Sequence, residues 1–172
     1  NSLTDAVRRR MFAEREIGCL LSGGLDSSLI AALVARESDK QIKTFSIGMK
    51  GSPDLKYAQM VADHIKSDHY NIELSEEEFL NAIPEVIYAT ESYDTTTIRA
   101  SVGNFLVSKF IKENTDIKVV FNGDGSDEVC AGYVYNKNAP SYYDIHLECE
   151  RLVKDIYLFD LLRSDRSISY HG

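Results

Sequence analysis

Residues 17–28 read Ile-Gly-Cys-Leu-Leu-Ser-Gly-Gly-Leu-Asp-Ser-Ser and continue into an apolar run, Leu-Ile-Ala-Ala-Leu-Val. This stretch predicts a short buried strand, a tight turn and then an apolar helix. Gly23 and Gly24 allow the sharp turn and let a ligand approach the backbone closely. Ser27 and Ser28 stand at the start of the helix, where the first amides have no partner inside it. We therefore expect the turn to bind a phosphate or pyrophosphate through amides, hydroxyls and the helix dipole.

The carboxylate of Asp26 is unexpected so close to an anion site. It is explained if Mg²⁺ lies between Asp26 and the phosphates, since Mg²⁺ takes protein carboxylates together with phosphate oxygens. The stretch has neither the Lys-Ser or Lys-Thr of a Walker A loop nor the G-x-G-x-x-G of a dinucleotide fingerprint. A strand–helix turn with a serine cap is the alternative. The full sequence from Ser22 to Ser28 is more specific than two adjacent glycines and favours phosphate binding.

The composition is that of an ordinary soluble domain. The 172 residues fit one domain, and 44% of them are hydrophobic. The net charge of −8 argues against broad binding to nucleic acid or anionic membranes, but not against a local nucleotide site. No apolar run is long enough to span a membrane, and no signal peptide is evident. The three cysteines, Cys19, Cys130 and Cys149, lack metal-ligand spacing, which predicts reduced thiols in a cytoplasmic protein.

Periodicity along the rest of the chain predicts alternating strands and helices. We expect strands at 41–48, 69–74 and 117–121, and helices at 3–16, 55–65, 76–87, 102–112 and 143–162. Ser52 is expected to be an N-cap, and Ser75 with Glu78 a capping box. Residues 91–101 interrupt the pattern and are expected to form a loop.

This alternation predicts a Rossmann-like α/β fold, a parallel sheet with helices on both faces. In such sheets the ligand lies at the carboxyl ends of the strands. The Ser22 loop, the turn at Gly48 and the loop at Asn122 all follow predicted strands. We therefore expect these three segments to converge on one crevice.

Two further segments carry polar side chains suited to this chemistry. In the loop from Asn122 to Glu128, Asp127 is expected to lie opposite Asp26 across a magnesium ion. A turn that merely caps a helix is the alternative. In the third segment, Thr96 and Arg99 can hold an anion by hydroxyl and guanidinium. An N-cap and a surface arginine are the alternative for these two residues.

The Ser22–Ser28 loop resembles the pyrophosphate loop of the N-type ATP pyrophosphatases, which include the asparagine, GMP, NAD and argininosuccinate synthetases. Further stretches narrow the resemblance to the synthetase domain of glutamine-dependent asparagine synthetases. They are, in order, Gly51-Ser-Pro-Asp-Leu55, Tyr93-Asp-Thr-Thr-Thr-Ile-Arg-Ala-Ser101, Gly123-Asp-Gly-Ser-Asp-Glu128, Gly132-Tyr133 and Leu161-Leu-Arg-Ser-Asp-Arg166. Together they cover most of the chain.

The resemblance implies a role for each matching position. The pyrophosphate would be bound by Ser22, Gly23, Gly24, Leu25, Asp26, Ser27 and Ser28. The adenosine would be contacted by Leu21 and Ile47, and the ATP site would be lined by Asn122 and Gly123. Mg²⁺ would be held by Asp26 and Asp127. The reacting phosphate or adenylate would be steadied by Thr96 and Arg99, and Asp124 would act on the intermediate or the incoming ammonia.

The chain also departs from the family's pattern. The family usually has Ser-Gly-Glu-Gly where this chain has Asn122-Gly-Asp124-Gly, so the acid is one methylene shorter. The chain contains no counterpart of the family's glutaminase domain. We expect residues 1–172 to be one ATP pyrophosphatase domain, cut from a longer protein and truncated at its carboxyl-terminal end.

The implied activity is the ATP-dependent amidation of aspartate through β-aspartyl-AMP, with release of AMP and pyrophosphate. It requires ATP, Mg²⁺ and ammonia from glutamine, which a glutaminase domain in the parent protein would supply. No nucleic-acid or membrane partner is expected, and a homodimer is left open. Two alternatives are carboxylate adenylation of the β-lactam synthetase kind and a non-catalytic ATP-binding module.

Overall fold

A computed structural model of the chain describes residues 2–171, although not the side chains of residues 159–162. Its sheet has four parallel strands: β1 Ile17–Leu20, β2 Lys43–Met49, β3 Asp68–Leu74 and β4 Val119–Phe121. Their order in the sheet is β3-β2-β1-β4. The strand that precedes the Ser22 loop is therefore central, and β4 brings the Asn122 loop to its side. The predicted parallel sheet is confirmed.

Helices connect the strands and cover both faces of the sheet. They are α1 Ser2–Arg10, α2 Leu25–Glu37, α3 Pro53–Ile65, α4 Glu76–Thr90, α5 Thr95–Asn114, α6 Ser126–Cys130, α7 Tyr142–Asp160 and α8 Ser167–Ser169. A 3₁₀-helix spans Val134–Asn138, and a π-helix spans Leu161–Arg166 between α7 and α8.

Alternate residues of β1 belong to two separate cores. Cys19 packs with apolar side chains of α1, α2 and α3 on one face, whereas Leu20 packs against a cluster on the other face that includes Phe45 and Val107. Burial raises the pKa of the Cys19 thiol to about 12, so this cysteine is an inert core residue. The two-sided burial explains why β1 reads as an almost continuous apolar run.

The predicted helix ends have mixed outcomes. The capping box is present: the Glu78 amide donates to Ser75 Oγ at 3.3 Å, and the Ser75 amide donates to the Glu78 carboxylate at 2.7 Å. Ser52 occupies the N-cap position of α3, but its side chain makes no capping hydrogen bond. The first helix ends at Arg10, so the prediction that it extends to residue 16 is wrong.

The predicted loop at residues 91–101 is also wrong over most of its length. Helix α5 begins at Thr95, because the Asp94 side chain accepts the Thr97 amide at 2.8 Å as an N-cap. Ile98 and Ser101 are buried at helical spacing. The run of threonines hid this period, since β-branched polar residues are weak helix formers.

The cysteine prediction agrees with the structure, in which Cys19, Cys130 and Cys149 are all unpaired. Among the described residues, none of the helices is both long and apolar enough to cross a membrane.

Candidate functional site

The loop between β1 and α2 is held tightly by glycine and serine. Gly23 has φ = 79°, and a methyl group on its α-carbon would lie 2.5 Å from the Ala58 nitrogen, so only glycine fits there. The hydroxyls of Ser22 and Ser27 lie 2.9 Å apart. Ser22 Oγ also accepts the Gly24 amide at 3.3 Å. These contacts fix the loop before any ligand binds.

The start of α2 leaves donors without acceptors. Its first intrahelical hydrogen bond runs from the Ser28 amide to the Gly24 carbonyl, at 3.1 Å, so the three preceding amides have no acceptor within the helix. The Ser28 hydroxyl is buried, and the structure gives it no hydrogen-bond partner among the described residues. A buried hydroxyl normally has a partner, and an anion would provide one. This loop therefore has the donor set expected of a phosphate site.

The loop after β4 lies directly against the first loop. A methyl group on Gly123 would come within 2.7 Å of the Ser27 nitrogen and 3.1 Å of the Asp26 Cβ. The two loops enclose a cavity of about 420 Å³. Its lining residues are Leu20, Ser22, Asp26, Ser27, Ala100, Asn104, Asn122, Gly123, Asp124, Gly125, Ser126, Asp127, Glu128, Tyr133 and Arg163. The structure thus brings the predicted Ser22 and Asn122 segments together.

The carboxylates in this cavity influence one another. The pKa of Asp127 is raised, first by burial and then by the negative charges of Asp26 and Glu128. Gly132 adjoins the Asp127 side chain so closely that a methyl group there would lie 1.9 Å from Asp127 Oδ1. Asp26 and Asp127 therefore line one cavity and are close enough for the charge of Asp26 to raise the pKa of Asp127, which suits a pair that would share a cation.

This pair fits Mg²⁺ by the chemistry of its donors. Mg²⁺ is commonly held by one or two protein carboxylates, while phosphate oxygens and water complete its shell. No cluster of three or more His, Cys, Asp or Glu side chains in the described part of the chain could hold a metal ion. Two carboxylates beside a loop suited to phosphate match the common mode of Mg²⁺ binding, in which phosphate oxygens of the nucleotide and water provide the remaining ligands.

Sequence reasoning gave no role to Glu128 and Tyr133. Glu128 is only 3% exposed, and its carboxylate accepts a short hydrogen bond from the Tyr133 hydroxyl. Burial and this hydrogen bond raise the pKa of Tyr133 to about 12, so the phenol stays a donor at neutral pH. Both residues line the cavity, as Asp127 does. The only signal in the sequence was that both residues lie in stretches shared with the asparagine synthetases.

Ile47, Gly48 and Arg99 do not line this cavity. They line a neighbouring, mainly apolar groove of about 760 Å³, together with α4 side chains such as Phe79 and Ile83. The Ser22 and Asn122 loops therefore share the cavity, the Gly48 turn borders the adjoining groove, and one crevice for all three strand ends stays a prediction. The adjoining positions Arg99 and Ala100 on α5 line the groove and the cavity respectively, so one helix borders both.

Six further predicted residues do not line the cavity, namely Leu21, Gly23, Gly24, Leu25, Ser28 and Thr96. Leu21 is 1% exposed, and its amide donates to the Phe45 carbonyl at 2.8 Å. Leu25 is 81% exposed at the first turn of α2. Thr96 is exposed on the first turn of α5 and lines neither space. A ligand contact by Leu21 would therefore have to use its backbone.

The asparagine synthase family model matches residues 1–166. The chain is 50% identical over 173 aligned residues to the glutamine-hydrolyzing asparagine synthetase of Homo sapiens, and the match covers 98% of this chain and 31% of that protein. The corresponding synthetase of Gallus gallus is also 50% identical, with the same coverage. The chain thus spans about a third of the length of these relatives.

Two solved structures share the fold. The NH3-dependent NAD synthetase from Campylobacter jejuni has a TM-score of 0.53 at 15% identity, covering 99% of this chain and 89% of that one. The NMN synthetase from Francisella tularensis has a TM-score of 0.51 at 14% identity, covering 89% and 68% respectively. These likenesses support the Rossmann-like, adenine nucleotide alpha hydrolase-like fold.

Proposed function

Because this chain belongs to the asparagine synthase family, we propose that it is the ATP-dependent domain of an asparagine synthetase, a ligase that amidates aspartate. The proposed substrates are ATP, aspartate and ammonia. The remaining two thirds of a protein as long as its relatives would supply further parts, including a glutaminase domain that releases ammonia from glutamine. A cytoplasmic location and a homodimer stay predictions.

The observation that carries this proposal is the contact between Gly123 and the Ser27 amide. It joins a loop rich in free donors to a loop rich in carboxylates around one cavity. The donors suit the phosphates of ATP, and the carboxylates suit a cation and an amine.

In the first half-reaction, a β-carboxylate oxygen of aspartate attacks the α-phosphorus of ATP, and pyrophosphate leaves. The Ser22–Ser28 loop would bind the pyrophosphate portion through its amides and through the hydroxyls of Ser22 and Ser27, which line the cavity, while the buried Ser28 hydroxyl would need a small shift to join them. Arg99 would steady the reacting phosphate if ATP extends from the cavity into the neighbouring groove. Thr96 lies one turn earlier on α5 and lines neither space, so its predicted contact with the phosphate requires that turn to shift. Ile47 would then contact the adenosine in the groove, and Asn122 and Gly123 would line the ATP site within the cavity.

Asp26 and Asp127 are the residues that would hold Mg²⁺. Bound there, the ion would neutralise charge on the phosphates and reduce the repulsion between the two carboxylates. The contribution of the chain is to place these carboxylates on two loops that are already in contact.

In the second half-reaction, ammonia attacks the acyl carbon of β-aspartyl-AMP, loses a proton and displaces AMP. Asp124 lines the same cavity and is the residue we assign to accept that proton. A carboxylate alone is a poor acyl donor, whereas AMP is a good leaving group. This difference is why adenylation must come first.

The test uses the full-length protein with ammonia supplied directly. We expect aspartate-dependent exchange of labelled pyrophosphate into ATP, and asparagine formation only when ammonia is present. Exchange that depends on another carboxylate substrate, followed by ring closure, would instead favour chemistry of the β-lactam synthetase kind. ATP binding without exchange for any amino acid would indicate a non-catalytic module, and either result would overturn the proposal.

A further inference from the structure

The Asp124 carboxylate is anchored through one of its two oxygens. Asn122 Nδ2 donates to Asp124 Oδ2 at 3.1 Å, and Ser164 Oγ donates to the same oxygen at 2.5 Å. The Asp124 amide donates in return to Asn122 Oδ1 at 3.3 Å. Asn122 and Asp124 are thus joined by two hydrogen bonds. A third hydrogen bond comes from Ser164, which lies on the π-helix 40 residues away and donates to the Asp124 carboxylate.

This arrangement distinguishes the two carboxylate oxygens. Oδ2 accepts both side-chain hydrogen bonds, whereas Oδ1 accepts none from the residues that the structure describes. Asp124 is exposed and borders the cavity. Oδ1 is therefore the oxygen left for an incoming donor, and the two anchors restrict rotation about the Cβ–Cγ bond.

We infer that Asn122 and Ser164 are positioning residues that orient Asp124 towards the amine nucleophile. This inference rests on the proposed function, because it assigns the two residues a purpose only if Asp124 acts on ammonia or the intermediate. A short acid gains from such anchors, since a fixed carboxylate presents Oδ1 in one direction. The anchoring pair therefore controls the second half-reaction rather than the first.

A purely local role for Asn122 is the competing explanation. Asparagine often closes a turn by bonding the backbone two residues later, and the bond to the Asp124 amide has that form. Ser164 decides between the two explanations. It lies on a distant element, and its contact reaches the carboxylate rather than the backbone of the turn.

The test measures how the intermediate partitions. In the full-length protein with aspartate, ATP and ammonia, each captured β-aspartyl-AMP yields one pyrophosphate and one asparagine. An intermediate that ammonia fails to capture is attacked by water and returns aspartate and AMP. The ratio of pyrophosphate to asparagine therefore reports positioning at Asp124. It does not depend on how much of the enzyme is folded.

We expect Asn122→Ser to raise the excess of this ratio over one, which is the hydrolysed intermediate per asparagine formed, by roughly two- to tenfold, the size of one lost hydrogen bond. Ser164→Ala should shift it in the same direction. Aspartate-dependent pyrophosphate exchange should change less than the ratio in both variants. Asn81→Ser is the matched control, because Asn81 is exposed on α4 and outside both spaces, so the ratio should stay at the parental value.

A second background separates positioning from turn stability. In Asp124→Glu the longer side chain should carry its carboxylate past the side-chain amide of Asn122, so that the hydrogen bond from Asn122 Nδ2 is lost. Asn122→Ser should therefore have little further effect on the ratio in that background. An unchanged ratio in both Asn122→Ser and Ser164→Ala would overturn the inference while leaving the proposed function intact. A parental protein that forms no asparagine would instead refute the proposed function itself.

Discussion

The α-carbon of Gly123 lies directly against the backbone amide of Ser27, so closely that a methyl group would come within 2.7 Å of that nitrogen. A side chain at position 123 would therefore displace either the β4 loop or the first turn of α2. Those two elements provide the carboxylates and the free amides of the cavity. The spacing of the two loops depends on this one glycine.

Gly123→Ala should accordingly weaken ATP binding and destabilise the domain by about 1–3 kcal/mol, the usual cost of overpacking. Gly103→Ala is the matched control. Gly103 lies within α5, and the nearest side-chain atom to an added methyl is 4.0 Å away. The Gly103→Ala substitution should leave the free energy of unfolding unchanged or raise it by up to about 1 kcal/mol. Denaturant unfolding measures the change in stability, and ATP titration measures the change in affinity. An equal response of the two variants would show that the contact between Gly123 and the Ser27 amide does not set the spacing of the loops.

Asp26→Asn should reduce magnesium-dependent pyrophosphate exchange by at least roughly a hundredfold, because several kcal/mol of charge stabilisation depend on the ion. In the metal-free protein it should also lower the pKa of Asp127, since the charge of Asp26 is one of its causes. Pyrophosphate exchange tests the first prediction, and an NMR titration of the Asp127 carboxyl carbon tests the second. Normal exchange would show that Asp26 does not bind the metal.

Asp127→Asn should make the metal-free domain more stable at neutral pH. The raised pKa means that the folded state binds the Asp127 proton more tightly than the unfolded chain. Its ionised form therefore costs stability above the folded-state pKa, and the cost disappears below the ordinary pKa of about 3.9. The stability gain should thus be present at pH 7 and vanish towards pH 3. A gain independent of pH would argue against the electrostatic origin.

Arg99→Lys should slow aspartate-dependent pyrophosphate exchange by about tenfold or more, because lysine keeps the charge but loses the planar two-pronged donor. Arg9→Lys is a suitable control, since Arg9 is exposed on α1. If both variants exchange at the parental rate, Arg99 is a surface residue of the groove and does not contact the phosphate.

Asp124→Asn should separate the two half-reactions. Exchange should survive in part, while asparagine formation from ammonia should fall by at least roughly a hundredfold, the usual size of one acid–base contribution. Asp124→Glu should retain both steps. Asparagine formation at the parental rate in Asp124→Asn would show that Asp124 is only a turn residue.

The sheet and its loops were predictable because their signals are local. A strand, two glycines and a serine-rich helix start follow one another within residues 17–28, and the capping box at Ser75 spans four residues. Each signal depends on backbone preferences that tertiary contacts reinforce. The parallel pairing of the strands also followed from the alternation of elements, whereas their order β3-β2-β1-β4 is known from the structure.

The details of the site were less accessible because they depend on distant contacts. The helical start at Thr95 was concealed by threonines, and a sequence pattern does not show that Arg99 lines the groove while the adjacent Ala100 lines the acid-lined cavity. The contact between Ser164 and Asp124 crosses 40 residues and uses a π-helix. No pattern within a short window of sequence encodes such a pair.

The same distance has a temporal consequence during synthesis. The four strands and both cavity loops are complete by Asp127, whereas Ser164 must still be translated. At ~5–20 residues per second, the 40 residues between Asp124 and Ser164 take about 2–8 s to emerge. A nascent chain can therefore have a formed sheet before the Asp124 carboxylate is anchored by Ser164, and the proposed capture of ammonia would reach full efficiency only after that later contact forms.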